Sequence, residues 1–204
     1  MATATQAAKY QPKQLQLRDG RQVSVRKMTP EDKSAILEFA RSLPEEDLLF
    51  LRTDITDPSV ADTWIENLRK GNTVTLLTEG ADRIAGYASV HRDEARWTRR
   101  VGEVRINVAT GYRGAGLGRA LAAEVFEVAR SLGLKKMAAM MTPDQTGART
   151  AFERLGFTVE ALLADWVEDR RGHPRDLLIM SYDVAGFTDQ ATTSPAQSED
   201  TRRV

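Results

Sequence analysis

The 204-residue chain contains no cysteine, which removes disulfides, thiolate metal sites and cysteine nucleophiles together. Histidine is nearly as scarce. His91 and His173 are the only two, too few for a multi-histidine centre, so no metal is expected. Neither charge is in excess: Lys plus Arg is 29 and Asp plus Glu is 29. That balance withdraws the electrostatic argument for a dedicated nucleic-acid or anionic-membrane binder. No run approaches the ~18 consecutive apolar residues of a membrane span, and Met1 to Lys9 lacks the apolar stretch of a secretory signal. What is present is ordinary: 41% hydrophobic and 28% charged residues, enough for one packed core. The expectation is a soluble, cytoplasmic, single-domain protein with neither nucleic acid nor membrane as a partner.

Residues 1–13 lack periodicity, and residues 187–204 are polar and rich in Ser, Thr and Gln. Both ends are expected to be disordered, because neither buries enough surface to offset ordering entropy. The fold is expected over 14–186. Within it, Gln14 to Leu17 and Gln22 to Met28 flank Asp19-Gly20, a hairpin signal. Thr29-Pro30-Glu31-Asp32 opens a helix with a cap, a proline at the first position and early acids. Asp57-Pro58 repeats the device, and Val60, Trp64 and Leu68 stripe that helix until Gly71. Strands follow at Thr73 to Glu79, Arg83 to His91 and Glu103 to Ala109. A helix carrying Leu117, Leu121, Val125, Val128 and Leu132 stops at Gly133. Next come a strand from Lys136 to Thr142, a helix from Asp144 to Leu155, and a strand pair from Phe157 to Glu168 and Arg175 to Val184. The order predicts a mixed α/β (α+β) domain, with helices against a central, largely antiparallel sheet.

Arg113-Gly114-Ala115-Gly116-Leu117-Gly118-Arg119 lies between a strand and a long helix. Glycines there allow a tight turn that gathers N–H groups at a helix N-terminus, where an anion is favoured. A diphosphate is the natural guest, with Arg113 or Arg119 as a partner. A P-loop would need a Lys after the last glycine, and none follows. A dinucleotide fingerprint would need Gly-x-Gly-x-x-Gly and an acid about 20 residues on. Here the spacing is Gly114-x-Gly116-x-Gly118, and position 138 is Ala. Both readings fail, which leaves a different phosphate ligand or a purely architectural turn.

The run EVRINVATGYRGAGLG, Glu103 to Gly118, resembles the acyl-CoA-binding motif of the GNAT superfamily of N-acyltransferases, Arg/Gln-x-x-Gly-x-Gly/Ala. Arg113, Gly116 and Gly118 stand at its fixed positions. Gln145 to Ala148 and Phe152 to Phe157 resemble the second signature, an Asn-x-x-Ala-x-x-x-Tyr helix ending in Leu-Gly-Phe. The resemblance spans roughly residues 14–184. It implies a sheet whose two central strands splay apart around a bulge, with the pantetheine arm of acetyl-CoA in the gap. Ile106, Asn107 and Val108 would hold that arm by their backbone. The turn formed by Arg113, Gly114, Ala115, Gly116, Leu117 and Gly118 would hold the diphosphate, and Gln145 takes the place of the motif's Asn. The partners implied are acetyl-CoA and an amine acceptor, either a small molecule or a protein lysine. Dimers are common in the superfamily, so a homodimer is compatible with it.

Acyl transfer to an amine needs a neutral amine, close approach, oxyanion stabilisation and a tolerable leaving group. Glu103-Val104-Arg105-Ile106-Asn107-Val108 alternates polar and apolar, which puts Glu103, Arg105 and Asn107 on one face. The family often places a Glu at the start of this strand as base, so Glu103 is the candidate catalytic residue. The same alternation fits a half-solvated strand with Glu103 paired to Arg105. The Val108 N–H is the candidate oxyanion donor. The motif's acidic Tyr falls on Phe152, whose ring has no proton to give. Tyr112 and Tyr182 are conceivable substitutes, and a non-catalytic acyl-CoA-binding regulator is the alternative reading.

Other residues read more plainly. The arginine-rich stretch His91 to Arg100 is expected to be a solvated hairpin loop bordering the acceptor site, with His91 a strand-end polar residue. Leu43 to Phe50, with Glu45, Glu46 and Asp47, is the segment that covers the acceptor in the family. Phe39, Trp64, Met137, Met140 and Met141 are expected in the core.

Overall fold

The computed structural model describes residues 10–48, 51, 53–81, 83–93, 95 and 97–186. Most of the two ends expected to be disordered, residues 1–9 and 187–204, lies outside the described residues. Tyr10 already has contacts: its hydroxyl donates to Glu124 Oε2 at 2.7 Å, and Lys13 Nζ pairs with the same carboxylate at 2.7 Å. The packed chain therefore reaches back past residue 14.

β1 (Lys13–Gln16) and β2 (Gln22–Lys27) form the hairpin, with Gly20 at φ +85°. A 3-10 turn at Pro30–Asp32 leads into α1 (Lys33–Arg41). Asp32 Oδ2 accepts the Thr29 N–H at 2.7 Å, which satisfies one donor at the helix start. α2 (Glu45–Leu48) is a single turn, and α3 (Pro58–Lys70) begins under Asp57, whose Oδ1 accepts the Ser59 N–H at 2.7 Å. β3 (Thr73–Gly80), β4 (Arg83–Arg92) and β5 (Val101–Val108) follow. The chain then alternates through α4 (Leu117–Ser131), β6 (Lys136–Met141) and α5 (Thr146–Arg154), and closes with β7 (Thr158–Glu168) and β8 (Pro174–Asp183).

The eight strands form one sheet in the order β1-β2-β3-β4-β5-β6-β8-β7, in which every adjacent pair is antiparallel except β5–β6. Even-numbered residues of β4 and β5 face α4: Ala88, Val90 and Val104 pack with Leu117, Leu121, Val125 and Phe126, all buried. Each fully buried Leu or Val contributes about 1.5–3 kcal/mol of transfer free energy. Odd-numbered residues face α1 and α3, where Leu77 and Tyr87 meet Ile36, Phe39 and Trp64. Phe39 and Trp64 lie edge-on to the Tyr87 ring, 5.9 and 5.1 Å between centroids.

The parallel β5–β6 ladder covers only Val101–Glu103 against Lys136–Ala138. Beyond it the two strands part, as the resemblance implies, but the expected bulge is not what separates them. The β4–β5 register runs without a shift from Gly86↔Val108 to Arg92↔Gly102, so the gap comes from β6 following β8 while β5 follows β4. Met140 also departs from expectation. Met137 and Met141 are buried under α4, whereas Met140, on the opposite face of β6, is 43% exposed. No helix among the described residues is long and apolar enough to cross a membrane.

Candidate functional site

Three parts of the fold meet where β5 and β6 separate. The first is the edge of β5. Ala109 N–H donates to Ala85 C=O at 2.9 Å, and the register below it is unbroken. In an antiparallel ladder, positions two residues apart share the same bonding direction. Asn107, Arg105 and Glu103 therefore exchange main-chain bonds with β4, while Ile106 and Val108 turn their N–H and C=O groups toward the gap. This corrects the expectation for Asn107. Its backbone is spent on β4, and its Nδ2 donates to the Tyr87 hydroxyl at 2.8 Å. Tyr87 is fully enclosed, and burial pushes its hydroxyl up to about 12, with Arg105 and Asn107 pulling the other way.

The second part is the turn at the N-terminus of α4. Gly114 (φ +76°) and Gly116 (φ +90°) are left-handed, a conformation that favours glycine. Ala115 between them and Leu117 just after them plug into the core. The N–H groups of Gly114, Ala115 and Gly116 have no main-chain partner among the described residues, and those of Leu117 and Gly118 belong to the first helical turn. Such a set of donors suits an anion. Arg113 points elsewhere: its guanidinium pairs with Asp47 of α2, and its Nε donates to the Val108 carbonyl at 3.2 Å. Arg18, from the β1–β2 turn, lies against Gly116 and its N–H bonds Ala115 C=O at 3.0 Å. Nothing in the local sequence signals that contact across about a hundred residues.

The third part is a cleft of about 720 Å³ between α3 and the sheet, lined by odd-numbered residues of β3, β4 and β5 and by Ala138 and Met140 of β6. Val60, Thr63, Trp64 and Asn67 form one wall, and Tyr87, Ser89, His91, Glu103, Arg105 and Met140 the other. Glu103 stands at the last paired position before the gap, opposite Ala138. Its Oε1 accepts Arg105 Nε at 2.8 Å, and the two side chains are 16% and 25% exposed. So Glu103 is both ion-paired and cleft-lining. His91, expected as a bystander, is its direct cross-strand neighbour. The His91 ring sits between two hydroxyls, Ser89 Oγ at 2.8 Å from Nε2 and Thr73 Oγ1 at 3.1 Å from Nδ1. Alternation along β4 puts Tyr87, Ser89 and His91 on one face, and the register sets them opposite Asn107, Arg105 and Glu103. Arg92 at the end of β4 and Asp93 and Thr98 of the following loop line the cleft; Glu94, Arg96 and the Glu46 side chain lie outside the described residues.

Gln145 caps α5 on the β6 side of the gap, and its Oε1 accepts the Thr142 N–H at 3.1 Å. Phe152 packs edge-on to Phe157, 4.9 Å between centroids. Neither proposed substitute is drawn to the gap by its contacts. Tyr112 is buried beneath the Arg21 guanidinium with its hydroxyl against Gly80 of β3, and the Tyr182 ring packs on Phe126 and Phe157.

A model of the acetyltransferase (GNAT) family matches residues 37–157. Among solved structures, the GNAT domain of S. lividans PAT superposes with a TM-score of 0.71 at 19% identity, covering 84% of this chain and 96% of that one. The yncA protein of Salmonella typhimurium, solved with its cofactor acetyl-CoA, gives 0.69 at 23% identity over 86% and 99%. The ribosomal-protein-alanine N-acetyltransferase of Brucella melitensis gives 0.68 at 25% identity over 78% and 98%.

Proposed function

The chain belongs to the acetyltransferase (GNAT) family, and from that premise we propose that it transfers the acetyl group of acetyl-CoA to a primary amine by direct attack on the thioester. One observation carries the reading: the outward main-chain groups of Ile106 and Val108 border a gap with unpaired turn amides at one end and Glu103 at the other. The gap fits a thin polar arm, and the turn fits the diphosphate attached to it. The acetyl-CoA named in the Salmonella structure supports this choice of donor.

Acetyl-CoA, when bound, supplies a thioester carbonyl and a thiolate leaving group. Ile106 and Val108 hold the arm by their backbone, and the amides from Gly114 to Gly118 hold the diphosphate, with Arg18, Arg113 and Arg119 supplying positive charge nearby. Asn107 serves from behind, tying β5 to Tyr87. The Val108 N–H donates to the oxygen that gains charge as the amine attacks. Glu103 accepts the amine's proton, directly or through a water, because an alkyl amine is mostly protonated at neutral pH. Phe152 donates nothing, and a thiol with a pKa near 8.5 leaves without a strong acid beside it. Gln145 would border the arm from the β6 side of the gap. The acyltransferase domain in this reading runs from Tyr10 to about residue 186, in the cytoplasm.

The test is thiol release from acetyl-CoA against a panel of amines, with Glu103→Gln alongside. The variant is expected to keep its affinity for CoA and to lose about 10²-fold in kcat. An unchanged rate overturns the role of Glu103. Titration calorimetry with CoA, using Gly116→Trp as the blocked turn, tests the cradle independently.

A further inference from the structure

The cleft carries a charge arrangement that the transfer of an acetyl group does not by itself require. Arg105 bonds Glu103 through Nε alone. Its Nη1 and Nη2, which carry four of the five guanidinium N–H donors, have no hydrogen-bond partner among the described residues. Three-quarters of that side chain is withdrawn from water, and its strand neighbour Ser89 is completely buried. A charged fork held in a cleft with its terminal donors unspent is matched by a planar anion. Beside it, within one hydrogen bond, lies the Glu103 carboxylate that receives the amine. The cleft thus presents a positive and a negative group side by side. An α-amino acid presents the complementary pair, an ammonium and a carboxylate separated by one carbon.

We propose that the acetyl acceptor is a free α-amino acid, with Arg105 recognising its carboxylate and thereby presenting its amine to Glu103. The inference rests on the acetyl-transfer reading and names its substrate class. The other charged groups on the cleft wall are Arg92 and Asp93, beside the His91 ring. Ile55, Val60, Trp64 and Met140 offer an apolar surface for the amino acid's side chain. A plain alkyl amine leaves the Arg105 fork desolvated and unanswered, so it binds less well. A long diamine brings a second cation toward Arg92 and Arg105. In the transfer the N–C bond forms as the C–S bond breaks. The ammonium gives up two protons: one passes to Glu103 and on to the thiolate, the other is released to water, giving an N-acetylamino acid and CoA.

The experiment compares matched acceptors: leucine with isoamylamine and leucinamide, and phenylalanine with phenethylamine, each with acetyl-CoA. Wild-type kcat/KM is expected to favour the acids by roughly 10- to 100-fold. Because Arg105 also touches Glu103, the acid-to-amine ratio is the readout rather than the rate. Arg105→Gln brings it to within about threefold of one, and Arg105→Lys, which keeps the charge without the fork, falls between. Thermal-shift titration of the same compounds in the presence of CoA reads binding without chemistry: leucine raises Tm in the wild type and not in Arg105→Gln. Turnover of isoamylamine as fast as leucine overturns the proposal and leaves acetyl transfer standing. So does a ratio unchanged by Arg105→Gln. No turnover of any amine, with leucine still binding through Arg105, refutes acetyl transfer and leaves carboxylate recognition intact. Absence of leucine binding overturns the proposal outright.

Discussion

Gly86 lies on β4 directly across from Val108, and a methyl group there would have nowhere to go. A Cβ built at Gly86 falls 2.7 Å from the Asn107 carbonyl oxygen, 3.3 Å from Val108 Cα and 3.4 Å from Leu121 Cδ1. Two of these neighbours are backbone of β5, so no rotamer change relieves the contact. Gly86→Ala must push β5 away from β4 at Asn107 and Val108, the second of which borders the gap. Overpacking of this kind costs about 1–3 kcal/mol, and in a chain of this size each kcal/mol lowers Tm by about 2–4 °C. The expected fall is roughly 2–12 °C by differential scanning calorimetry. In the proposed binding mode, displacing Val108 also misaligns one hydrogen bond to the arm of acetyl-CoA, about 1 kcal/mol, so the Kd for CoA is expected to rise several-fold to tenfold by calorimetric titration. Gly147→Ala is the control. It introduces the same methyl in the first turn of α5 with nothing within 4 Å, and replacing a helical glycine gains about 0.5–1 kcal/mol. The two variants should move Tm in opposite directions. A Gly86→Ala protein that melts with the wild type and binds CoA equally well refutes the argument that β4 approaches β5 too closely for a side chain.

Asp47→Asn releases Arg113 from its exposed ion pair; such pairs are worth up to about 1 kcal/mol, so CoA binding tightens by up to about fivefold at low salt. At 1 M salt the gain should vanish, and weaker binding at low salt would contradict it. Phe152→Tyr restores a hydroxyl at the position of the motif's acid and should raise kcat several-fold; an unchanged kcat means that thiolate protonation does not limit the rate. Asp169 is held at about 2 by the N–H groups of His173 and Arg171 and by Arg175, against the opposing effect of burial. Its folded value lies below its unfolded one, so the stability it adds is present above about pH 4 and lost as pH falls toward 2. The Tm gap between wild type and Asp169→Asn should close over that interval; a gap constant from pH 6 to 2 would refute the assignment.

The elements were legible because their ends are marked by chemistry that acts locally. Asp57 with Pro58 starts α3 and a left-handed Gly71 stops it, and Asp19-Gly20 turns the first hairpin. The odd-numbered face of Glu103, Arg105 and Asn107 was equally readable, since pleating alone sets it. What alternation does not carry is which residue stands opposite. That His91 faces Glu103 depends on a register fixed beyond an eight-residue loop. That Asn107 has no backbone to spare depends on which parity bonds β4. The exposure of Met140 follows from β6 leaving β5, a tertiary event with no signature in the sequence of KMAAMM. Arg18 reaches Gly116 only because the first hairpin folds over the turn.

The three-residue ladder between β5 and β6 also bears on how the sheet avoids its own company. A strand with one side unpaired normally invites another chain, and proteins blunt such edges with charge, proline or a covering loop. Here two of them run through the middle of the molecule, at Ile106 and Val108 and along the facing side of β6. Their protection is position: both lie inside the sheet rather than at its rim, and α4 covers one face, where Val104 and Met137 are buried with Leu121 and Val125. The unpaired groups that would draw a stray strand at an outer edge are kept within the molecule, so the break in the ladder opens the sheet without adding a new rim to it.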